Sequence, residues 1–392
     1  MTATIPEDVY GAPDASRHDL APVPLSEAPE VARALRRLGL PPLVPDGLVS
    51  HPGRNDNWAG RTEDGQQVFV KRLDRRAPDA TARFDRAYAF QVVRAAAGPF
   101  SWSAPVFLGG DREALVMVYA LLEGAVSGAA LAEEGRFDAE LARRAGRAVG
   151  ELHGFHPAGV PAAAAHHGRG LASRLSTLTV AEYTRSSAVE LAFWALLQHD
   201  DDLKTALRVL GERSGAAEPA PAHGDLRLDQ FLLHGDELHL CDWEEFRLAD
   251  PARDIGGFVG QWLFRAATLM FTEFEPDPPD SADNAADAAD AAGADGGTHA
   301  PLVRGGADQL DAVRPLVAAF WRGYRGARPA ADPGLAERAV AYAGWHLFDR
   351  VLATATHSAR LTAVQRGTAG LGRGALLAPA RFVDVLGLGD DT

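Results

Sequence analysis

Between His223 and Glu245 the chain reads HGDLRLDQ, FLLHGDELHL, CDWEE. This stretch constrains the fold more than any other. PAHGDL at 221–226 and FLLHGDELHLCDW at 231–243 read as short strands, and Gly235 marks a hairpin turn in the second. Closing that hairpin would bring Gln230 and Asp242 to one end of two short strands. ADPARDIG follows after Phe246-Arg247-Leu248 and leads into a helical pattern at 254–271.

The N-terminal third has a different period. GLVSHPGRNDNWAGRTEDGQQVFVKRL, residues 47–73, reads as strand, Gly/Asn turn, strand, Asp64-Gly65 hairpin turn, strand. A helix is expected from Asp79 to Ala97, with Phe84, Tyr88, Val92 and Ala95 on one face. ALVMVYALLEG at 114–124 is again β-rich. Before all this, Pro29-Glu30 opens a helix with Val31, Ala34, Leu35 and Leu38 on one face, stopped by Pro41.

After Gly124 the pattern turns helical. Helices are expected at 137–155, 171–177, 187–199, 201–213, 308–326 and 334–357, with a short one near 379–386. The fold class is therefore α+β, a small β-rich lobe followed by a large helical one. The expected divisions are a flexible extension at 1–25, a β-rich lobe at 26–122 and a helical lobe at 123–392. The low-complexity acidic run at 274–299 lacks apolar residues other than Ala and one Phe, and reads as a disordered insertion.

Composition narrows function by exclusion. A single cysteine, Cys241, excludes an intrachain disulfide framework and Cys-rich zinc or iron–sulfur sites. The net charge is −14, so neither nucleic acid nor an anionic membrane is an expected partner. Eight acidic residues between Glu273 and Asp295 account for more than half of that excess. The first residues, MTATIPEDVYGAPDAS, carry neither a basic nor an apolar targeting region. No apolar run reaches the ~18 residues of a spanning helix. A cytoplasmic location is expected. His153, His156, His166 and His167 complete no recognisable metal-ligand spacing, and His346 and His357 stand alone.

HGDLRLDQ, CDWEE, ADPARD and VFVK at Lys71 together resemble the aminoglycoside-phosphotransferase-like kinases, relatives of protein kinases. The resemblance implies a bilobal protein-kinase-like fold binding ATP or GTP with Mg²⁺. Such an enzyme needs positioning and charge neutralisation more than covalent help. By that resemblance Asp225 is the base at the acceptor hydroxyl. Gln230 and Asp242 are the metal ligands, and Lys71 contacts the α/β-phosphates. Asp250 and Asp254 are structural. His223 braces the loop, and Trp243 and Glu244 pack behind it. Backbone at Val118, Tyr119 and Leu121 matches the hinge that holds adenine.

Three departures accompany the resemblance. The usual metal-binding Asn is Gln230, which keeps the amide oxygen but adds a methylene. The phosphate loop is SHPGRNDNWAG, in which Arg54, Asn55 and Asn57 could contact phosphate by side chain. The helix after Lys71 offers no Glu to pair with it; Asp85 is its best carboxylate.

For the acceptor, the loop SHPGRNDNWAGRT…VFVKRL with HGDLRLDQ looks like the kinase subunit of class V lanthipeptide synthetases. That resemblance implies Ser/Thr of a ribosomal precursor peptide as acceptor and a separate phospho-lyase as partner. A small-molecule kinase for aminoglycosides, choline or sugars is the alternative. There Asp200-Asp201-Asp202 would face a cationic substrate, unless it is only a helix-start charge run. A pseudokinase-like peptide-binding scaffold is the third reading.

Overall fold

The computed structural model describes residues 21–51, 53–96, 100–155, 175, 177–272, 299–329, 332–356 and 360–389. The run expected to be disordered at 274–299 lies outside them, apart from His299, which opens a helix. Residues 1–20 of the expected extension, His156, His166, His167 and His357 also lie outside.

The β-rich part is one antiparallel sheet of order β1-β2-β4-β3. Its strands are β1 (Asp56–Arg61), β2 (Gln67–Arg72), β3 (Phe107–Asp111) and β4 (Val116–Ala120). The expected Asp64-Gly65 turn joins β1 to β2, with Gly65 at φ 90°. Alternation along β2 sorts its side chains by face. Val68 and Val70 are wholly buried beneath helix α1 (Pro29–Arg37), with Val31, Leu35, Trp58 and Val118. Phe69 and Lys71 point to the other face.

Two strand expectations need correction. The segment after Gly47 forms an isolated bridge, Val49 to Ala59, instead of a strand. The 114–124 strand shrinks to β4, and β3 pairs with it although its sequence, FLGGD, carries two glycines. The register of that pair shifts between Phe107 and Gly109. The end of the extension is also held, since Trp58 Nε1 donates to Val23 O at 2.8 Å.

Helix α2 (Ala80–Ala96) covers the second face of the sheet. Phe84, Ala87 and Phe90 are buried there, but Tyr88 and Val92 are exposed. The buried face is therefore rotated from the one expected, and it includes Arg83 and Arg86. Carboxylates of the helical lobe meet those two arginines, which is why guanidinium groups can be turned inward.

The helical part holds the core. Helix α4 (Ala139–Gly154) lies against α9 (His299–Ala327), while α8 (Ala252–Thr272) lies against α10 (Leu335–Ala355). The first contact is backbone-close: a Cβ at Gly146 would sit 1.9 Å from Phe320 O. Phe258 stacks on Phe320 at 3.9 Å and ties the two layers together. Between α1 and α8 in the chain come α3 (Gly128–Glu133), α5 (Val180–Arg185), α6 (Ala188–Gln198) and α7 (Asp201–Ala216). A last helix, α11 (Ala363–Leu377), was not expected. Its sequence carries four glycines, and tertiary packing against α10 overrides that weak propensity.

Candidate active site

The HGDL segment sits between two small sheets. Strand β6 (Ala220–Ala222) pairs with β9 (Arg247–Ala249), and β7 (Phe231–His234) pairs with β8 (Glu237–Leu240) on one side and with the two-residue β5 (Val126–Ser127) on the other. Phe231 opposes Leu240, so Gln230 and Cys241 flank the same hairpin end, and Cys241 N donates to Gln230 O at 3.0 Å. The hairpin closes as its sequence implied.

The loop's backbone is set from below by Asp254. Its carboxylate is wholly buried and accepts His223 N–H at 2.6 Å and Gly224 N–H at 2.8 Å. It also lies 3.0 Å from His153 Nε2. Burial alone would raise the Asp254 pKa; the hydrogen bond and charge of His153, with His223 and the Gly224 N–H, hold it low. His223 Nε2 reaches Cys241 O at 2.9 Å, so the same loop is braced to the second carboxylate segment. Asp250 accepts both arms of buried Arg338 at 2.8 and 3.1 Å.

With its backbone fixed, the loop presents Asp225 outward, 40% exposed, with Arg227 Nη1 at 4.0 Å. Arg227 also bonds Asp229 twice at 3.2 Å. Burial opposes the Arg227 charge, but Asp229, Asp225 and Asp242 raise its pKa further.

Asp242 takes the left-handed conformation, φ 66°, which turns its carboxylate out of the hairpin toward the sheet. There Lys71 Nζ donates to Asp242 Oδ1 at 2.6 Å and lies 2.5 Å from Glu244 Oε1. Burial alone would lift Asp242, yet the Lys71 charge and hydrogen bond hold it well below the usual carboxylate range. For Lys71, burial is outweighed in the other direction by Asp242 and Glu244. Both groups are thus charged near neutral pH.

Lys71 does not pair with Asp85. Asp85 accepts both arms of Arg112 at 2.6 and 2.8 Å on the outer side of α2. Two residues along a helix rotate the side chain by roughly 200°, so with Arg83 turned inward Asp85 must face away.

Glu244 is the hub that sequence reading undervalued. Its side chain is 4% exposed and bonds Lys71, Arg83 and Asn55 Nδ2, the last at 2.8 Å. Arg54, 60% exposed, reaches it at 3.5 Å. Arg86 donates to Glu244 O at 2.7 Å and to Glu245 Oε1 at 3.1 Å. Trp243 stacks on Phe90 of α2 at 3.5 Å, nearly parallel. A signal existed: Arg83, Arg86 and Phe90 share a helical face opposite an acidic DWEE.

Three further expectations change. Asn57 is consumed in holding the loop, accepting from His51 N–H at 2.7 Å and donating to His51 O at 2.7 Å. Asn55 is buried, with its nitrogen on Glu244 and its oxygen accepting from Asp74 N–H at 3.3 Å. Of the three loop residues, Arg54 alone is exposed. Gln230 is buried, and its Oε1, the one atom of that side chain able to ligate a cation, accepts Arg227 N–H at 3.0 Å.

The expected hinge also changes. Val118 and Tyr119 lie in β4, which has a partner strand on each side, and Leu121 N–H donates to Gln67 O at 3.2 Å. Their backbone donors are therefore engaged within the sheet. The Tyr119 phenol lies beside the carboxylates: burial first, then Asp242 and Glu244, push its pKa up.

The acidic run at Asp200 is structural at its first residue. Asp200 caps α7 through Leu203 N–H at 3.0 Å and pairs with Arg373 at 2.5 Å. His153 and His346 are likewise engaged, His153 with Tyr324 at 3.2 Å and His346 with Gln261 at 3.2 Å.

Lys71 of the sheet and Asp242 after the hairpin thus meet as a charged pair, and the neighbouring loop presents Asp225. Residues 48–296 match the model of the phosphotransferase enzyme family, and the chain is a member of it. It is therefore a phosphotransferase. The search of curated proteins finds no match. Among solved structures, a choline/ethanolamine kinase family protein from Mesorhizobium loti is 17% identical, with 87% of this chain and 92% of that one covered and a TM-score of 0.46. Amicoumacin kinase hAmiN, in complex with AMP-PNP, Ca²⁺ and Ami, is 14% identical over 91% and 96%, with a TM-score of 0.48. Macrolide 2'-phosphotransferase MphH from Brachybacterium faecium is 16% identical over 91% and 98%, with a TM-score of 0.41. No described helix is long and apolar enough to cross a membrane.

Proposed function

We propose that this chain transfers the γ-phosphate of ATP, or GTP, to a Ser or Thr hydroxyl of a ribosomal precursor peptide. In this reading it is the kinase step of a lanthipeptide-type dehydration, in the cytoplasm, with a separate lyase removing the phosphate. The observation that carries the chemistry is the contact of Lys71 with Asp242 at 2.6 Å. It supports a site where one side chain can neutralise phosphate and the other can hold Mg²⁺. Asp242, an ionised carboxylate 31% exposed, is the oxygen donor that would hold that metal. The ion would supply charge neutralisation on the phosphates. Asp225 would take the acceptor proton, and Arg54 would meet phosphate from the loop side.

Three features favour a peptide over a cationic small molecule. Asp225 stands open at 40% exposure, which suits a hydroxyl presented on an extended chain. Arg227 and Arg350 lie close enough to Asp225 for their charges to interact with it, which disfavours a polycationic acceptor. Asp200, already bound to Arg373, supplies no acidic wall for one.

The test is an acceptor panel read by mass spectrometry. The chain is incubated with ATP, Mg²⁺ and a precursor peptide, with and without its lyase. Phosphate should appear on the peptide alone, and water loss when the lyase is added. Transfer to aminoglycosides, choline or sugars, with none to any peptide, would establish the small-molecule reading instead.

A further inference from the structure

Every kinase-like site needs its phosphate-contacting lysine held in one place, and α2 offers no acid to do so. In its stead α2 turns two arginines, Arg83 and Arg86, into the protein, with side-chain exposures of 3% and 6%. Both grip the segment after Asp242. Arg83 bonds the Glu244 carboxylate, and Arg86 bonds the Glu244 carbonyl and Glu245. The opposite oxygen of Glu244 meets Lys71 at 2.5 Å. Asn55, from the phosphate loop, closes the same carboxylate from a third side at 2.8 Å.

We infer that Glu244 is the positioning residue for Lys71, and that Arg83 fixes Glu244 in turn, so that the acid orienting the lysine comes from the metal-binding segment and the helix supplies its counter-charge. The inference rests on the phosphotransferase reading of Lys71. Three elements converge on one carboxylate: the loop through Asn55, the strand through Lys71 and the helix through Arg83. Movement of α2 away from the sheet would release Glu244 and with it the lysine. An acid on the helix would hold the lysine directly; here the link runs through two ion pairs. Asp242 is left with a single lysine contact, so its remaining oxygen stays available for a cation.

A double-mutant cycle tests this, read as calorimetric affinity of the full chain for AMP-PNP with Mg²⁺. Glu244→Gln is expected to weaken binding at least tenfold. Lys71→Met should cost a similar factor, and the two together little more than Lys71→Met alone, since Glu244 acts through the lysine. Glu244→Gln leaves Arg83 buried without its partner and could fail to fold. The neutral pair Arg83→Met with Glu244→Gln removes both buried charges. It should recover thermal stability without recovering nucleotide affinity, which a purely structural role would not separate. Glu244→Asp should keep part of the affinity. Additive losses in the cycle, or wild-type affinity in the neutral pair, would overturn the inference while leaving the phosphotransferase reading intact. Absence of AMP-PNP binding by the wild-type chain would overturn both.

Discussion

His153 and Asp254, both wholly buried, meet at 3.0 Å between Nε2 and Oδ2, and the same carboxylate carries the backbone of His223 and Gly224. The loop that presents Asp225 is thereby anchored on α8 and α4. Replacing Asp254 with Asn puts an amide N–H against a backbone N–H, because each oxygen already accepts one. The orphaned donor should cost about 1–3 kcal/mol, seen as a lower unfolding midpoint in denaturant.

The pH dependence of that cost has a defined sign. The folded pKa of Asp254 is depressed, so its ionisation stabilises the protein above the unfolded value of ~3.9. That contribution is lost as pH falls through the lower folded value. Wild type and Asp254→Asn should therefore converge in stability as the solution is acidified below ~4. A gap that widens in acid would contradict the assignment.

Gly224 has no room for a side chain. Its φ is +84°, and a Cβ would lie 2.3 Å from Glu245 O. Gly224→Ala should displace the loop from the Glu244–Glu245 segment and lower turnover strongly. Replacement at Gly235, also at positive φ but with open space around it, should cost stability only modestly and spare turnover.

Gln230→Asn should shorten the reach of the amide away from Arg227 N–H, which Gln230 Oε1 now accepts at 3.0 Å. The expected loss is about 1 kcal/mol, with slower turnover and unchanged nucleotide affinity. A changed metal preference at unchanged stability would instead return Gln230 to the role of metal ligand.

Much of the architecture was legible because period and turn chemistry agree there. The strands around Asp64-Gly65, the hairpin around Gly235 and the long helices follow from alternation and apolar stripes. Around the candidate site, the spacing from Gln230 to Asp242 was legible as a hairpin that closes at that end. What escaped depends on rotation and contact. Asp85 and Arg83 are two residues apart, and only packing decides which faces Lys71. Asn57 and Asn55 are polar loop residues in sequence; Asn57 is spent on holding its own loop, and Asn55 on Glu244 and Asp74. Helix α11 escaped because its glycines depress helix propensity, although one of them, Gly372, allows close approach to Gly344 of α10.

Asp242→Asn removes the carboxylate beside Lys71 and should weaken Mg²⁺–nucleotide binding along with turnover. Calorimetry separates it from an acceptor-side change, which should leave nucleotide affinity as it is. Equal affinity in wild type and Asp242→Asn would place the metal elsewhere.

The most direct measurement is transfer of label from γ-labelled ATP to acceptor by wild type and Asp225→Asn at matched nucleotide saturation. Asp225 is exposed, so the exchange should leave the fold and nucleotide affinity unchanged. The account predicts labelled phosphate ester from wild type and a loss of roughly 10²–10⁴ in rate from the variant. Near-wild-type transfer by Asp225→Asn would contradict it.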